Sequence, residues 1–509
     1  MSPLLCWVAL PYHAEVPHPN NQPDSDCLPP CGGWLYWLSL IGAAVGLGLT
    51  AWALAKMDMT DGHGGSAGLW RWWLALGVGW LSLTGLARWL WRRDGPVLFR
   101  WRDVLLLVFV AIAVRVVVVA TSQPQLSDDV YRYVVDGQAV AHGDSPYVAT
   151  PLQRAQQLIN DGAPMWPGED EVLAHVNNPE LHTIYLPTSQ WVFGFSATVA
   201  NNTGAVSASE QVEIQRYVLS LIDVLVICLL LVIAWRHKRS IWWVALYAWH
   251  PLVVTEVAGS GHQEPIGLFF LVLALFLVEM TPRAWWIWIV PLALSVFVKP
   301  ITVFIAPVLL RRSPPLHWLG ALVLGIIVCF LVASPFVFAG SEFFTNLWAT
   351  TSRFTLKWAH FGSVYEPLLW LIERVGSVGN GWTNDSQEQL ARGCCIFLLL
   401  AIICWVVFKG LPKWSAARII LFAMVLLSPA AHPWYLLWPL VMMPIVPSAA
   451  LWIASLTISF GYAAWLRPND WEVSWWVFLI AYVPVYVALA WSLIRRVGPD
   501  RSEGRHGNV

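Results

Sequence analysis

The run Ser127-Asp128-Asp129-Val130-Tyr131-Arg132-Tyr133-Val134-Val135-Asp136-Gly137 places three carboxylates within nine residues. On a helix, Asp129, Tyr133 and Asp136 share one face at i, i+4 and i+7, and Asp128 stands at the start, where an acid complements the helix dipole. A capped helix on a wet surface would look the same. Adjacent aspartates can also raise one another's pKa and so tune a general base, or supply oxygen ligands to a divalent cation such as Mg or Mn.

Three further segments mix turn residues with aromatics: Gly143-Asp144-Ser145-Pro146-Tyr147, Asn177-Asn178-Pro179-Glu180 and Ile184-Tyr185-Leu186-Pro187. Their spacing reads as loop punctuation. Their chemistry also suits a sugar: Asn178 and Glu180 for hydroxyls, Tyr147 and Tyr185 for C–H faces. Trp249-His250-Pro251, then Glu256, then Gly261-His262-Gln263-Glu264, bring acid and imidazole to one boundary of an apolar run.

An ionisable residue at membrane depth is costly, which makes Glu256 and Lys299 functional candidates, although Lys299 also fits the tip of a hairpin reaching for water. Arg115, about two turns from the end of its helix, could snorkel or hold a lipid phosphate. Asp223 is better suited to pairing with a polar neighbour than to chemistry. Ala431-His432-Pro433-Trp434-Tyr435 breaks a late apolar stretch, where a lone histidine is commonly structural.

These residues need elements to position them, and composition says which. The 509 residues are 57% hydrophobic and 12% charged, with mean hydropathy +0.58 and 35 Trp. That balance excludes a water-soluble domain and a disordered chain and indicates an integral membrane protein. The net charge of -1 gives no basic field for nucleic acid. Eight scattered cysteines form no disulfide framework or zinc spacing, and Cys27 with Cys31 reads as two incidental thiols. Residues 1–33 lack the features of a signal peptide and read as a loose cytoplasmic tail.

Apolar runs of membrane-crossing length begin near 34, 69, 104, 215, 241, 265, 284, 316, 391, 416, 449 and 474, with shorter ones near 300 and 434, about fourteen crossings in all. Segments 88–103, 236–240, 281–284, 311–316, 409–418 and 494–509 hold 18 Lys and Arg in 57 positions, whereas the alternate segments hold 9 in 184. The basic side is cytoplasmic by the positive-inside rule, and both termini fall there. Two large external segments result, 122–214 and 336–392. The first is too long for a connector. No internal repeat is visible, against an inverted-repeat transporter.

The ordered set from Ser127 to Gly137, Gly143 to Tyr147, Tyr185-Leu186-Pro187, Trp249-His250-Pro251 with Gly261-His262, Lys299-Pro300 and His432-Pro433-Trp434-Tyr435 resembles the GT-C superfamily of polytopic glycosyltransferases. Within it, the chain is similar to the mannosyltransferase-like group that includes glycosyltransferase family 87 and the first mannosyltransferase of GPI-anchor assembly. The resemblance spans 127–435. It implies an all-α bundle that transfers a hexose, mannose preferred, from a polyprenyl-phosphate sugar to a glycan or lipid acceptor on the extracytoplasmic face.

It also implies inversion, with Asp128 or Asp129 as base. The GPI enzyme carries Asp-x-Asp where this chain has adjacent acids, so the choice of base and the divalent cation stay open. The family lends Arg115, Lys299 and His262 a donor-phosphate role. Tyr131, Arg132, Tyr133, Asp136, Tyr147, Asn178, Glu180, Tyr185, His250, Glu256, Glu264, His432, Trp434 and Tyr435 complete the expected substrate contacts. Trp166, Trp191 and Trp249 join Trp434 as aromatics expected beside the sugar.

The expected organisation is a helix pair at 34–103, a catalytic region at 104–450, further crossings at 451–493 and a tail at 494–509, in a bacterial plasma membrane. The alternative is a transporter or flippase with Arg115, Asp223, Glu256 and Lys299 along its pathway.

Overall fold

The computed structural model describes residues 33–58, 64–92, 100–376, 383–467 and 473–497. Cys27, Cys31 and nearly all of both expected tails lie outside these residues. Two long helices, α1 (Gly33–Ala55) and α2 (Gly64–Arg92), precede α3 (Trp101–Thr121). Four shorter helices then occupy the segment expected to be folded: α4 (Asp129–Ala141), α5 (Pro151–Asn160), α6 (Glu169–Ala174) and α7 (Pro187–Thr203).

The bundle continues with α8 (Ala208–Arg236), the short pieces α9 (Ala245–Ala248) and α10 (Pro251–Val254), then α11 (Glu264–Met280), α12 (Trp285–Val296), α13 (Ala306–Leu310) and α14 (Pro315–Ala339). After it come α15 (Phe343–Lys357), α16 (Tyr365–Gly376), α17 (Asn384–Lys409), α18 (Lys413–Leu427), α19 (Leu437–Leu440), α20 (Ala449–Thr457) and α21 (Trp475–Val497). Among the described residues there is no β-strand, only isolated bridges from His360 and Phe361 to Ala430.

Among the described residues, seven helices are long and apolar enough to cross a bilayer: Trp34–Ala55, α3, α8, α14, α17, Ala449–Leu466 and Trp475–Ile494. Their outward faces are apolar, as at Phe109, Leu322, Phe397 and Val487, all exposed. Such surface is stable only against lipid or another apolar partner. The chain is thus an all-α polytopic membrane protein. The remainder of the expected fourteen crossings are α2, long but less apolar, and pieces that are shorter or broken.

The run from 241 is the clearest departure from a straight crossing. Ile241–Val244 is a 3-10 turn, Pro251 restarts the chain in α10, and Thr255–Gly259 is a π-turn. All of residues 240–268 are buried. Irregular backbone at membrane depth requires such burial, because every freed carbonyl must find a donor within the protein. Two arginines supply donors: Arg115 Nη1 reaches Ala248 O at 3.0 Å, and Arg216 Nε reaches Ala258 O at 2.7 Å.

Helix α2 closes on this run. Gly79 lets it in, since a Cβ there would stand 2.5 Å from Pro251 Cγ. Trp80 stacks on Trp452 at 5.7 Å, and Trp73 Nε1 donates to Ser459 O at 3.2 Å.

Candidate active site

Asp128 and Asp129 stand at the start of α4, as the acid pattern predicts, but they face different partners. Asp128, the N-cap residue, makes no capping bond; it meets Asn177 and His175. Asp129 faces Tyr185, His262, Glu264 and Lys299. Burial holds both carboxyls above the ordinary range; Asp129's charge adds to the shift at Asp128, and Glu264's adds to it at Asp129. Among the described residues, no three His, Cys, Asp or Glu side chains converge as metal ligands.

The π-turn brings the second half of the cluster to Asp129. Its last hydrogen bonds are Ser260 N to Thr255 O at 2.7 Å and His262 N to Glu256 O at 2.9 Å, which fold His262 back over Glu256. Gly261 makes the fold possible at φ 74, a left-handed conformation that suits glycine. A Cβ there would also stand 2.9 Å from both Arg216 Cγ and Val130 Cγ2. Tyr462 Oη lies 3.0 Å from each Glu256 oxygen, and His262 Nδ1 lies 3.0 Å from Glu256 Oε2.

On the far side, Lys299 Nζ donates to Glu264 Oε1 at 2.6 Å and sits 3.8 Å above the Tyr435 ring centroid. His262 stacks on Trp434 at 4.1 Å, Trp434 on His432 at 4.3 Å, and His432 on His360 at 5.1 Å. Trp358 Nε1 donates to His432 Nε2 at 3.1 Å.

Within this cluster, His262 Nε2 and Glu264 Oε2 are buried without a hydrogen-bond partner. An unpaired buried polar atom costs about 1–3 kcal/mol, so orphans beside a carboxylate and an ammonium mark a place built to receive a polar group. A hydroxylated molecule with an anionic end matches these donors and acceptors.

The structure therefore brings together Asp129, Tyr185, Glu256, His262, Glu264, Lys299, His432, Trp434 and Tyr435. Tyr133 supports the group, stacked on Phe193 at 4.5 Å and edge-on to Tyr185 at 4.8 Å. The other expected site residues do other work. Arg132 pairs with Asp136 at 2.8 Å, and Gln190 Nε2 donates to Asp136 at 3.0 Å, which closes that carboxylate inside the short-helix layer. Tyr131 stacks on His175 at 4.7 Å. Tyr147 is a core residue whose hydroxyl donates to Tyr185 O at 2.6 Å. Asn178 and Glu180 are exposed in a turn, with Asn178 at φ 52.

Two placements away from the cluster carry a clear physical reason. His250 spends both ring nitrogens locally: Nδ1 accepts from Leu252 N at 3.2 Å, capping α10, and Nε2 meets Ser455 Oγ at 2.9 Å. Arg115 meets Asp223 at 2.5 Å and the carbonyls of Ala111 and Ala248, contacts that make it a buried brace for the broken run. Asp223 also accepts from Tyr247 at 2.7 Å and is closed in the same group.

Of the four expected docking tryptophans, only Trp434 joins the cluster. Trp249 donates to Leu107 O and Trp191 to Val332 O, while Trp166 is buried in the short-helix layer. Sequence reasoning missed Tyr462 and His360, whose positions give no local signal. Their partners are 206 and 72 residues away.

No curated protein and no solved structure matches the chain. Residues 373–495, which include Trp434, Tyr435 and Tyr462, match the family model described as the MptB C-terminal domain.

Proposed function

We propose that this chain is a membrane glycosyltransferase of the GT-C type that transfers mannose from a polyprenyl-phosphate donor to a glycan or lipid acceptor on the extracytoplasmic face. MptB is a mannosyltransferase of the GT-C type, and the similarity over 373–495 supports the same class for this chain. The observation that carries the reading is the juxtaposition of a carboxylate, Asp129, with a lysine, Lys299, across buried orphan atoms of His262 and Glu264.

In this reading Asp129 accepts the proton of the acceptor hydroxyl as its oxygen attacks the anomeric carbon from the face opposite the phosphate. The bond from that carbon to the phosphate oxygen breaks, the configuration inverts, and the lipid phosphate leaves with the bonding pair. Lys299, shared with Glu264, offsets charge developing on the leaving oxygen. His262 and Glu264 hold sugar hydroxyls, and Trp434 and Tyr435 supply aromatic faces. No divalent cation enters these steps.

A cavity of about 350 Å³ runs from Lys299 and Tyr435 between apolar side chains of Leu399, Leu421 and Val425, with Arg392 on its wall. An apolar slot that ends on an ammonium suits a lipid chain with an anionic head.

The test is purified protein with radiolabelled polyprenyl-phosphate mannose and an acceptor panel, in detergent and in vesicles. Label moved to acceptor supports the reading. Label carried across the vesicle without transfer supports a flippase, and label that is neither transferred nor carried across removes the support for the transferase reading.

A further inference from the structure

Trp72 lies in α2, outside the span of the GT-C resemblance and outside the residues similar to the MptB C-terminal domain. Its indole is fully buried. Nε1 donates to Thr255 Oγ1 at 2.9 Å, and the ring meets Tyr462 edge-on with centroids 5.7 Å apart. Thr255 opens the π-turn, and Glu256 follows it. Tyr462 is the residue whose hydroxyl holds both Glu256 oxygens. Trp72 thus bears on Glu256 from two directions, through the hydroxyl of its chain neighbour Thr255 and through the ring of Tyr462.

His262 depends on where Glu256 is held. Its Nδ1 lies 3.0 Å from Glu256 Oε2, within hydrogen-bond distance, and its Nε2 has no partner. A small shift of the carboxylate therefore turns the imidazole and moves Nε2, the atom left for substrate. Helix α2 is itself locked. Gly46 and Gly79 bring α1 and α2 into backbone contact, since a Cβ on Gly46 would stand 2.4 Å from Gly79 Cα, and Gly79 abuts Pro251 on its other side.

We propose that the N-terminal helix pair is part of the reaction machinery and that Trp72 is a positioning residue for the Glu256–His262 pair. This rests on the transferase reading. An ordinary buried tryptophan would contribute packing alone, so the test separates the N–H from the ring. Trp72→Phe keeps most of the ring and loses the donor, Thr255→Val keeps the shape and loses the acceptor, and Thr255→Ser keeps the hydroxyl.

Steady-state transfer in detergent should show kcat lowered about tenfold in Trp72→Phe and Thr255→Val, with donor KM changed by less than about twofold. Thr255→Ser should stay near the starting protein, and the double variant should be no worse than either single. Unchanged kcat, additive losses, or losses that merely follow the amount of folded protein would overturn the proposal.

Histidine side-chain NMR of 15N-labelled protein, with the His262 signals assigned by His262→Gln, reads the same geometry without turnover. Shifted His262 signals in Trp72→Phe and Thr255→Val but not in Thr255→Ser support it, and unshifted signals overturn it. Should the starting protein transfer no label, the transferase reading fails and the NMR comparison still decides whether Trp72 positions His262.

Discussion

Helix α4 and the broken run from Ile241 to Gln263 each deliver a carboxylate to the same cluster, and they do so by opposite means. Asp129 opens a regular helix, stays partly accessible, and meets its neighbours without being clamped. Glu256 is fully buried in a π-turn, held by Tyr462 and backed by Thr255 and Trp72. The first arrangement suits a group that must trade a proton with a visiting hydroxyl. The second suits a group whose work is to hold another side chain still. Buried charge is tolerable only with partners in place, so Glu256 is bound up with stability in a way that Asp129 is not.

That contrast can be broken most directly at Asp129. Asp129→Asn is expected to lower kcat about 10³-fold, the contribution of a well-placed general base, with an unchanged melting temperature in detergent. Asp128→Asn, whose carboxylate faces Asn177 and His175, is expected to cost far less. Equal losses at the two positions would remove the distinction between them.

Glu256→Ala should cost about 3 kcal/mol of stability, because it strands His262 in a buried site. The check is thermal or denaturant unfolding in detergent, and a normal unfolding curve would put Glu256 in the same class as Asp129. Gly261→Ala should cost about 2 kcal/mol through its left-handed φ and the contacts with Arg216 and Val130, read in the same unfolding assay.

The subtlest test is pH. Burial raises the Asp129 carboxyl, with His262 opposing, Glu264 adding, and Lys299 and Tyr185 opposing. A base works deprotonated, so activity is lost as pH falls through that raised pKa. Lys299→Met removes a cation that favours the charged carboxylate and should move the acid limb of kcat/KM to higher pH. A limb that stays put or moves down would detach Lys299 from Asp129.

Much of the candidate site was legible because its residues are chemically out of place. Acids directly after an apolar helix, a glutamate inside an apolar run and a lysine between short crossings all stand out by local contrast. The same contrast marks Arg115 and His250, where a conspicuous polar group braces irregular backbone. Hydropathy registers that the run from 241 is apolar, but it does not register that Pro251 and the π-turn break it. Asn178 and Glu180 show the other limit, since turn residues that suit a sugar also suit a turn.

By itself, then, the sequence determined that this chain lives in a bilayer, which of its ionisable residues are costly enough to need a reason, and that an acid pair opens the helix after α3. Those properties depend on composition and on neighbours within a turn or two. Tertiary structure alone decided which acid meets Lys299, that Arg115 closes on Asp223 108 residues away, and that Trp72 reaches Thr255 across 183 residues. Pairings at that separation follow from how helices pack, and helix packing depends on small residues such as Gly46 and Gly79 whose meaning appears only when their partner helices are in place.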